Sequence, residues 1–359
     1  MKIESLRTQI VSLPLNVQLG GKAGRLASIE HVLVQLRSDT GHTGTGYTFT
    51  LLGSDVAETA QAIRALASVV AGEDPSQPDR LWERMYSHRN APDATAARAI
   101  SAVDIAVWDL HGRAAGTPVY RLLGGSRSSV RAYASYDLWE SVPTDTLAER
   151  AASFVREGFT AVKIRTGGSS DPAREAERIS AVRAAVGPDV AIMYDALQYY
   201  EPGDAIAIGQ ALEAHGLYWL EDPVSEDDLD GCSKVAQALE APVACGEALV
   251  FPDAYHRLMD AQAADIVMVD LKNVGGITPW RQVAARAEEL NLPVVSHLSP
   301  EISAHVLAAI PNGLVVEWIP WSFGLFTDPP RLSKGVCQLS ERAGFGLTLS
   351  PALDRWEDA

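Results

Sequence analysis

The chain has 359 residues, of which 47% are hydrophobic and 21% charged. This length exceeds what one hydrophobic core usually supports, so we expect two cooperating domains, or a large barrel with a smaller unit. The net charge of −16 argues against binding to nucleic acid or to an anionic membrane surface, because both need a basic face on the protein.

The first part of the chain predicts a small antiparallel sheet followed by helices. Apolar and polar residues alternate in three runs, over residues 3–13, 31–37 and 44–50. Helical periodicity follows in three segments, over residues 56–70, 80–86 and 96–114. We therefore expect an α+β domain over residues 1–125, without a phosphate-binding loop.

From residue 130 the pattern changes to short apolar strands separated by helices, at intervals of roughly 25 residues. We predict eight strands, over residues 131–136, 161–165, 190–194, 218–220, 242–245, 266–269, 293–296 and 314–317. Helices are predicted between them, over residues 146–156, 173–186, 205–214, 229–239 and 279–290. Eight βα units favour a closed parallel (β/α)8-type barrel over residues 126–318. Residues 319–359 contain no further βα unit, and we expect this segment to return to the amino-terminal domain.

The location of the protein is predicted from features that the sequence lacks. It has no apolar run long enough to cross a membrane, and its first residues lack the apolar stretch of a signal peptide. We therefore expect a cytoplasmic protein. Cys232, Cys245 and Cys337 lie far apart without paired spacing, so they predict neither a disulfide framework nor a zinc site, but reduced thiols in the core.

Charged residues fall at the carboxyl ends of the third to eighth predicted strands. They are Asp195, Glu221, Glu247, Asp270, His297 and Glu317. A single acid at such a position more often caps the following helix, but six strand ends in register favour a functional interpretation. In a (β/α)8 barrel these ends meet in one mouth, where packed carboxylates repel each other and raise one another's pKa. A cation must offset that repulsion.

The residue types at these strand ends indicate two kinds of chemistry. Asp195, Glu221 and Glu247 are three hard oxygen donors on adjacent strands, which suits Mg²⁺. Asp270 and His297 end neighbouring strands, as is needed for a carboxylate to fix the tautomer of an imidazole and raise its basicity. We therefore predict His297 as a general base. Glu317 could be a protonated or hydrogen-bonding acid that stabilises an enolate oxygen.

The second predicted strand adds two cations to the same mouth. Alternation along the strand puts Lys163 and Arg165 on one side, facing the barrel interior. Arg165 could be a buried counter-ion of the carboxylates, which is compatible with a functional role.

These residues resemble the enolase superfamily, and specifically its mandelate racemase-like branch, over essentially the whole chain. The resemblance includes residues 99–110 with Leu122-Leu123-Gly124-Gly125, which are similar to the family's cap helix and crossover. The metal ligands carry over within Met193-Tyr194-Asp195, Trp219-Leu220-Glu221-Asp222-Pro223 and Cys245-Gly246-Glu247. The resemblance implies an α+β capping domain, a modified (β/α)8 barrel with chemistry at the strand ends, and a carboxy-terminal segment that completes the cap. It also implies Mg²⁺ as cofactor and a symmetric homo-oligomer such as an octamer.

The sixth strand separates the branches of this superfamily. Asp270 stands five residues before Gly275-Gly276, where muconate cycloisomerases and dipeptide epimerases would carry a lysine base. Lys272 falls at a different position, so it is not assigned as that base. Asp270 with His297 therefore indicates the racemase-like branch.

The second strand departs from the family pattern. Racemase-like members commonly have Lys-x-Lys there, whereas this chain has Lys163-Ile164-Arg165. Inverting a stereocentre needs a base on one face and an acid on the other, and arginine keeps its proton at ordinary pH. A reaction with one base therefore fits these residues better than racemisation.

We expect a sugar-acid dehydratase that acts on a small anionic carboxylate. Lys163 and Mg²⁺ would bind the substrate carboxylate, and His297, oriented by Asp270, would remove the α-proton to give an enediolate. Lys163 and Glu317 would stabilise its charge, and loss of the β-hydroxyl, with acid help from His297 or Arg165, would lead to a 2-keto acid. Alternatively, Arg165 clamps a substrate oxygen.

Two other functions stay open at this point. One is a racemase or epimerase of a 2-hydroxy acid, and the other is a non-catalytic binding or structural homologue. Substrate specificity is expected in residues 15–26 and 48–53. Gly20-Gly21 suggests a mobile lid there, and Lys22 and Arg25 could meet an acidic substrate, although solvated surface cations are the simpler interpretation. Trp139, just past the first barrel strand, could shape the pocket.

Overall fold

The computed structural model describes residues 1–20, 24–50, 56–353 and 355–359. The expected specificity segments 15–26 and 48–53 lie partly outside these residues, and so does the suggested lid at Gly20-Gly21. Lys22 and the side chain of Arg25 lie outside them as well. No helix in the part of the chain that is described is both long and apolar enough to cross a membrane.

The amino-terminal domain consists of a sheet covered by helices. Its antiparallel strands are β1 (Ile3–Gly20), β2 (Gly24–Ser38) and β3 (Thr43–Thr50), each at a predicted position but extended. Its helices are α1 (Val56–Ala65), α2 (Ala67–Val70), α3 (Pro78–His88), α4 (Ala94–Ala114) and α5 (Val119–Leu122). Thus the single helix predicted over residues 56–70 is two helices. Helix α4 lies close against β3, since a Cβ on Gly46 would stand 2.1 Å from the carbonyl oxygen of Ala102.

The barrel contains all eight predicted parallel strands, with small shifts at their ends. They are β4 (Ser129–Ala134), β5 (Ala161–Arg165), β6 (Ala191–Asp195), β7 (Leu217–Glu221), β8 (Val243–Cys245), β9 (Ile266–Asp270), β10 (Val294–His297) and β11 (Val316–Trp318). Strands β4 to β10 pair in chain order, and β11 pairs with β4. A hydrogen bond of 2.9 Å from Leu314 N, two residues before β11, to Val294 O of β10 joins the last two strand segments, so the sheet closes.

Helices connect the barrel strands on the outside. They are α6 (Thr144–Arg156), α7 (Pro172–Val186), α8 (Pro202–Glu213), α9 (Leu229–Ala238), α10 (Phe251–Asp260), α11 (Leu271–Val274), α12 (Ile277–Glu289) and α13 (Pro300–Ala308). In α7, Ile179, Val182 and Val186 recur every three or four residues and form its buried face. Helices α10, α11 and α13 are additional to the predicted ones. Every residue of α13 is buried, Glu301 and His305 included, so its sequence lacks the contrast between an apolar and an exposed polar face that indicates a helix.

The barrel interior is apolar below its mouth. Met193, Trp219, Met268 and Val295 are buried there and pack together. Because side chains alternate along each strand, the next inward position on β6 and β7 is occupied by an acid at the strand end. The charges are therefore confined to the carboxyl end of the barrel.

Helix α4 attaches the amino-terminal domain to the barrel. Its Asp104 accepts hydrogen bonds from Thr278 N (3.0 Å) and Thr278 Oγ1 (2.6 Å), and its Ser101 Oγ donates to Leu271 O (2.8 Å). These contacts reach the start of α12 and the turn that follows β9. The domain is therefore docked beside the strand that carries Asp270.

The segment after Trp318 contacts both domains. A short 3-10 turn (Phe323–Leu325) leads to a hairpin of β12 (Arg331–Ser333) and β13 (Val336–Gln338), and β13 pairs antiparallel with β4 of the barrel. Near the end of the chain, β14 (Glu357–Asp358) pairs with β1. Among the described residues of this segment, β14 is the strand that joins the amino-terminal sheet, whereas the hairpin pairs with residues 129–131 of β4, before the residues that pair with β11.

Candidate active site

The parallel register brings the predicted residues to one face of the barrel. Arg165 on β5 is aligned with Asp195 on β6, and Asp195 with Glu221 on β7. Asp270 on β9 is aligned with His297 on β10. Glu317 lies in β11, and Glu247 lies two residues beyond the end of β8. The mouth at this end of the barrel therefore collects every predicted site residue.

Lys163 lies at the centre of the carboxylates. Its side chain is 1% exposed, and its ammonium bonds Glu221 and lies 3.0 Å from Glu317 Oε1 and 3.6 Å from Asp195 Oδ2. Burial would lower the pKa of Lys163, but the carboxylates, Glu221 first, raise it well above its usual value. The carboxylates therefore favour the positively charged form of Lys163 at the bottom of the mouth.

The acids around Lys163 outnumber it. Burial, the largest cause, together with the negative charges of Asp195, Glu247 and Glu317, raises the pKa of Glu221 to about 8, despite the opposing effect of Lys163. In the part of the chain that is described, no three His, Cys, Asp or Glu side chains are already arranged around a metal position. Asp195 and Glu221 nevertheless converge on one cation, the Lys163 ammonium. Three hard oxygen donors with unrelieved repulsion fit the chemistry of Mg²⁺.

Arg165 is held in one orientation by its neighbours. Its NH1 donates to Ser135 O (2.5 Å) and its NH2 to Ser135 Oγ (2.9 Å), while its Nε lies 3.5 Å from Asp195. Its guanidinium stacks 4.1 Å from the ring centre of Trp139, which in turn stacks on Trp321. A guanidinium held in this way is a fixed cation rather than a proton carrier.

Glu317 is an ionised hydrogen-bond acceptor. Its Oε1 accepts from Ser135 Oγ (2.7 Å) and from Lys163, and its Oε2 accepts from Leu298 N (2.8 Å). Leu298 and Ser299 have left-handed φ angles of 55° and 46°, which turn the chain so that this N–H faces the acid. Burial would raise the pKa of Glu317, but the nearby cations, Lys163 first, hold it at about 2. Of the two forms expected for Glu317, the structure favours the hydrogen-bonded carboxylate.

His297 and Asp270 form a hydrogen-bonded pair. His297 Nδ1 lies 2.7 Å from Asp270 Oδ2, and His297 Nε2 lies 3.3 Å from Glu247 Oε2. Burial would raise the pKa of Asp270, but Lys272 and His297 hold it below its usual range, so the carboxylate accepts and Nδ1 donates. Burial would lower the pKa of His297, but Glu247 and Asp270 raise it to about 9. The second nitrogen, Nε2, is therefore the one left to face a substrate.

Three residues of the site were not identified from the sequence. Ser135 joins Arg165 to Glu317, and no motif marks a serine at a strand end. Glu226 Oε1 accepts from Gly246 N (2.8 Å) and so supports the loop that carries Glu247. Lys272 contacts Asp270, which its position two residues further along the chain could have suggested.

A cavity of about 320 Å³ lies where β1 meets the loops that follow β4 and β11. Its lining includes Leu13, Val17, Tyr136 and Trp321. Trp321 stacks on Trp139, so this aromatic pair, with Trp139 buried and Trp321 partly buried, separates Arg165 from this cavity. Trp139, for which a role in shaping the pocket was suggested, contacts Arg165, and Trp321 rather than Trp139 lines the cavity.

The fold and the mouth together define a barrel enzyme with a carboxylate-rich centre and an α+β cap. Residues 11–124 match the family model of the mandelate racemase / muconate lactonizing enzyme N-terminal domain, and residues 146–353 match the enolase C-terminal domain-like model. The chain belongs to this family of the enolase superfamily. The predicted fold class, a capped (β/α)8 barrel, and the predicted resemblance are confirmed.

Proteins similar to the chain have several activities. L-talarate/galactarate dehydratase of Salmonella typhimurium is 29% identical over 99% of the chain and 91% of its own length. Its structure with Mg and L-lyxarohydroxamate has a TM-score of 0.93, at 28% identity over 99% and 92% of the two chains. The 3,6-anhydro-alpha-L-galactonate cycloisomerase of Streptomyces coelicolor is 32% identical over 97% of both proteins. A racemase from Streptomyces coelicolor A3(2) with bound magnesium has a TM-score of 0.90, at 31% identity over 97% of both chains.

Proposed function

We propose that this protein is a Mg²⁺-dependent dehydratase that converts a sugar acid into a 2-keto acid by removing the proton next to the carboxylate. The observation that carries the proposal is the His297–Asp270 pair, which shares one mouth with Lys163 and three metal-ligand candidates. The similar dehydratase, solved with Mg and a hydroxamate, supports the same class of reaction.

Asp195, Glu221 and Glu247 would hold the metal ion. A bound Mg²⁺ would supply positive charge that polarises the substrate carboxylate and stabilises the negative charge that develops when the α-proton leaves. Burial and then the neighbouring carboxylates raise the pKa of Glu221, and a bound cation would offset both effects.

Lys163 would bind a carboxylate oxygen of the substrate. The ammonium is buried and charged, so it can stabilise the enediolate oxygen in a site from which water is largely excluded. Glu317 would act through Lys163 and Ser135, because both donate to its Oε1. It would keep the ammonium in place rather than donate a proton itself.

His297 would remove the α-proton with Nε2. Its Nδ1–H bond to Asp270 leaves Nε2 as the nitrogen that accepts a proton in the neutral imidazole, and the carboxylate stabilises the imidazolium that forms. Glu247 is the carboxylate that most raises the pKa of His297, so a metal ion held by Glu247 would lower this pKa and favour the neutral imidazole. The same imidazolium would then donate a proton to the departing β-hydroxyl. Water leaves, and the resulting enol becomes a 2-keto acid.

Arg165 would be a fixed cation beside the substrate. Its five-donor head is already bound by Ser135 and stacked on Trp139, and arginine does not release a proton at ordinary pH. It would therefore not serve as the base or acid on the second face that inversion requires. This is the structural reason for preferring dehydration to racemisation.

A screen of mono- and diacid sugars with Mg²⁺, followed by detection of 2-keto acid with semicarbazide, tests the proposal. We expect keto acid from at least one sugar acid, and its loss in His297→Asn, where the amide can still donate to Asp270 but cannot accept the proton. Unchanged dehydration in His297→Asn would contradict the assignment of the base.

Racemisation or epimerisation of a 2-hydroxy acid is the second candidate, favoured by the similarity to the Streptomyces coelicolor racemase. Deuterated water distinguishes the two reactions. A racemase would put deuterium on the α-carbon of both enantiomers, whereas a dehydratase would consume the substrate. A binding or structural homologue would do neither, and Mg²⁺ would not raise its melting temperature.

We also propose that the enzyme works in the cytoplasm as a symmetric homo-oligomer. The family resemblance supports the assembly, and size-exclusion chromatography with light scattering tests it directly.

A further inference from the structure

Lys272 is a buried cation next to the predicted base. It lies in the short helix α11, directly after β9, and its side chain is 9% exposed. Its ammonium bonds Asp270 Oδ2, the same oxygen that accepts from His297 Nδ1 at 2.7 Å. Lys272 and His297 therefore share one acceptor atom.

Asp270 is surrounded by donors on both of its oxygens. Oδ1 accepts from the backbone N–H groups of Lys272 (2.7 Å) and Asn273 (2.9 Å). These two bonds fix one oxygen, but the carboxylate can still tilt about them. The Lys272 ammonium holds the second oxygen, so the carboxylate has one orientation, in line with His297 Nδ1.

The cap covers the other side of the Lys272 ammonium. Phe49, on β3, presents its ring with the centre 4.5 Å from the nitrogen, a favourable cation–π distance for a desolvated ammonium. Phe49 itself is 1% exposed. The neighbouring residue of α11 is also held by the cap, since Ser101 Oγ donates to Leu271 O. Lys272 thus lies between the cap and the pair that contains the base.

We propose that Lys272 is a positioning residue that fixes Asp270 and, through Phe49, makes the orientation of His297 depend on the docked cap. The inference rests on the proposed function, because it takes His297 as the group that accepts the α-proton. It goes beyond that function by assigning Lys272 to the base rather than to the substrate or the metal.

The first test compares Lys272→Met with Lys272→Arg and with Lys234→Met, which removes an exposed lysine on α9. Methionine keeps the length of the side chain and loses the charge. We expect α-proton exchange by Lys272→Met to fall about 10- to 100-fold in kcat, with little change in KM. Lys272→Arg should keep more activity, because arginine can bond a carboxylate and stack on an aromatic ring. Lys234→Met should behave like the wild type.

The second test combines variants. If Lys272 acts through His297, adding Lys272→Met to His297→Asn should cause no further loss of the residual exchange. Phe49→Leu should lower kcat in the same direction, and the double variant Phe49→Leu/Lys272→Met should lose less than the product of the two single effects. If the losses of the two single variants simply multiplied in either double variant, the two residues would act independently and the proposal would be overturned.

The third test needs no substrate, so it separates this proposal from the proposed function. The His297 Nδ1 proton, bonded to Asp270, should give a downfield ¹H NMR signal that is missing in His297→Asn. We expect this signal to broaden or move upfield in Lys272→Met and to be restored in Lys272→Arg. An unchanged signal in Lys272→Met, or a loss confined to KM, would overturn the positioning role. If the wild type exchanged the α-proton of none of the acids tested, the proposed function would fail. The NMR comparison would still decide the role of Lys272.

Discussion

Replacing Arg165 tests whether this side chain is a fixed cation. The wild-type guanidinium donates to two oxygens of Ser135 and stacks on Trp139 at 4.1 Å. A lysine has a single ammonium and cannot span both oxygens while it stacks. Losing one hydrogen bond of a charged group costs about 1.5–3 kcal/mol, and a desolvated cation–π contact contributes up to about 2 kcal/mol. We therefore expect Arg165→Lys to lower the free energy of unfolding by about 2–4 kcal/mol.

The same substitution changes the available chemistry. Lysine can release its proton in a buried site, whereas arginine cannot. Arg165→Lys should therefore gain some α-proton exchange on the second face of the substrate, which the wild type lacks. Arg165→Met is the matched control, because it loses the same contacts without gaining a proton carrier.

Two measurements decide this prediction. Urea unfolding gives the free energy for the wild type and both variants, and NMR of substrate recovered from deuterated water shows which enantiomers carry deuterium. The reasoning would be refuted if Arg165→Met unfolded at the wild-type urea concentration, or if the wild type labelled both enantiomers. The first result would mean that the contacts of Arg165 do not contribute to the stability of the fold. The second would mean that another group transfers a proton on the second face of the substrate.

Three further predictions follow from the site and its surroundings. Ser135→Ala should lower the free energy of unfolding by about 1–3 kcal/mol, measured in urea, because Glu317 loses a buried donor; equal stability would contradict that bond. Burial lowers the pKa of His31 to about 4, whereas a histidine in an unfolded chain has a pKa of roughly 6.5. The contribution of His31 to the free energy of unfolding is therefore fully present above about pH 6.5 and is lost as the pH falls through 4. His31→Gln should weaken the dependence of the melting temperature on pH in this range. An unchanged dependence would mean that other titrating groups cause it. Mg²⁺ at about 100 times its Kd should stabilise the wild type by about 2.7 kcal/mol. In Glu221→Gln this stabilisation should be lost, and in Glu240→Gln, which changes an exposed acid, it should be kept.

The barrel strands could be predicted because their signals are local. Each is a short apolar run between helical segments, and its last inward residue follows from alternation along the strand. This placed Asp195, Glu221 and His297 at one mouth before any contact was known. The amino-terminal helix over residues 56–70 was predicted as one because both halves keep the same apolar period, although the structure divides it near Leu66.

The parts that could not be predicted depend on distant segments. Helix α13 is buried on all sides, so its polar residues do not form an exposed face that a sequence pattern would reveal. The hairpin of β12 and β13 pairs with β4, more than a hundred residues away. This pairing uses residues 129–131 of β4, which precede the residues that pair with β11, and no local pattern in the sequence marks them as available.

The sequence by itself determined the two-part architecture, the eight strands and the chemical types at their carboxyl ends, because periodicity and residue identity are properties of the chain alone. Only the tertiary structure decided which side chains share a hydrogen-bonding atom. Ser135 joins Arg165 and Glu317, and Lys272 lies between Asp270 and Phe49, because barrel closure and cap docking bring these residues together. The ionised state of Glu317 follows from the same packing, since the pKa of a buried acid is set by the cations that the fold places around it.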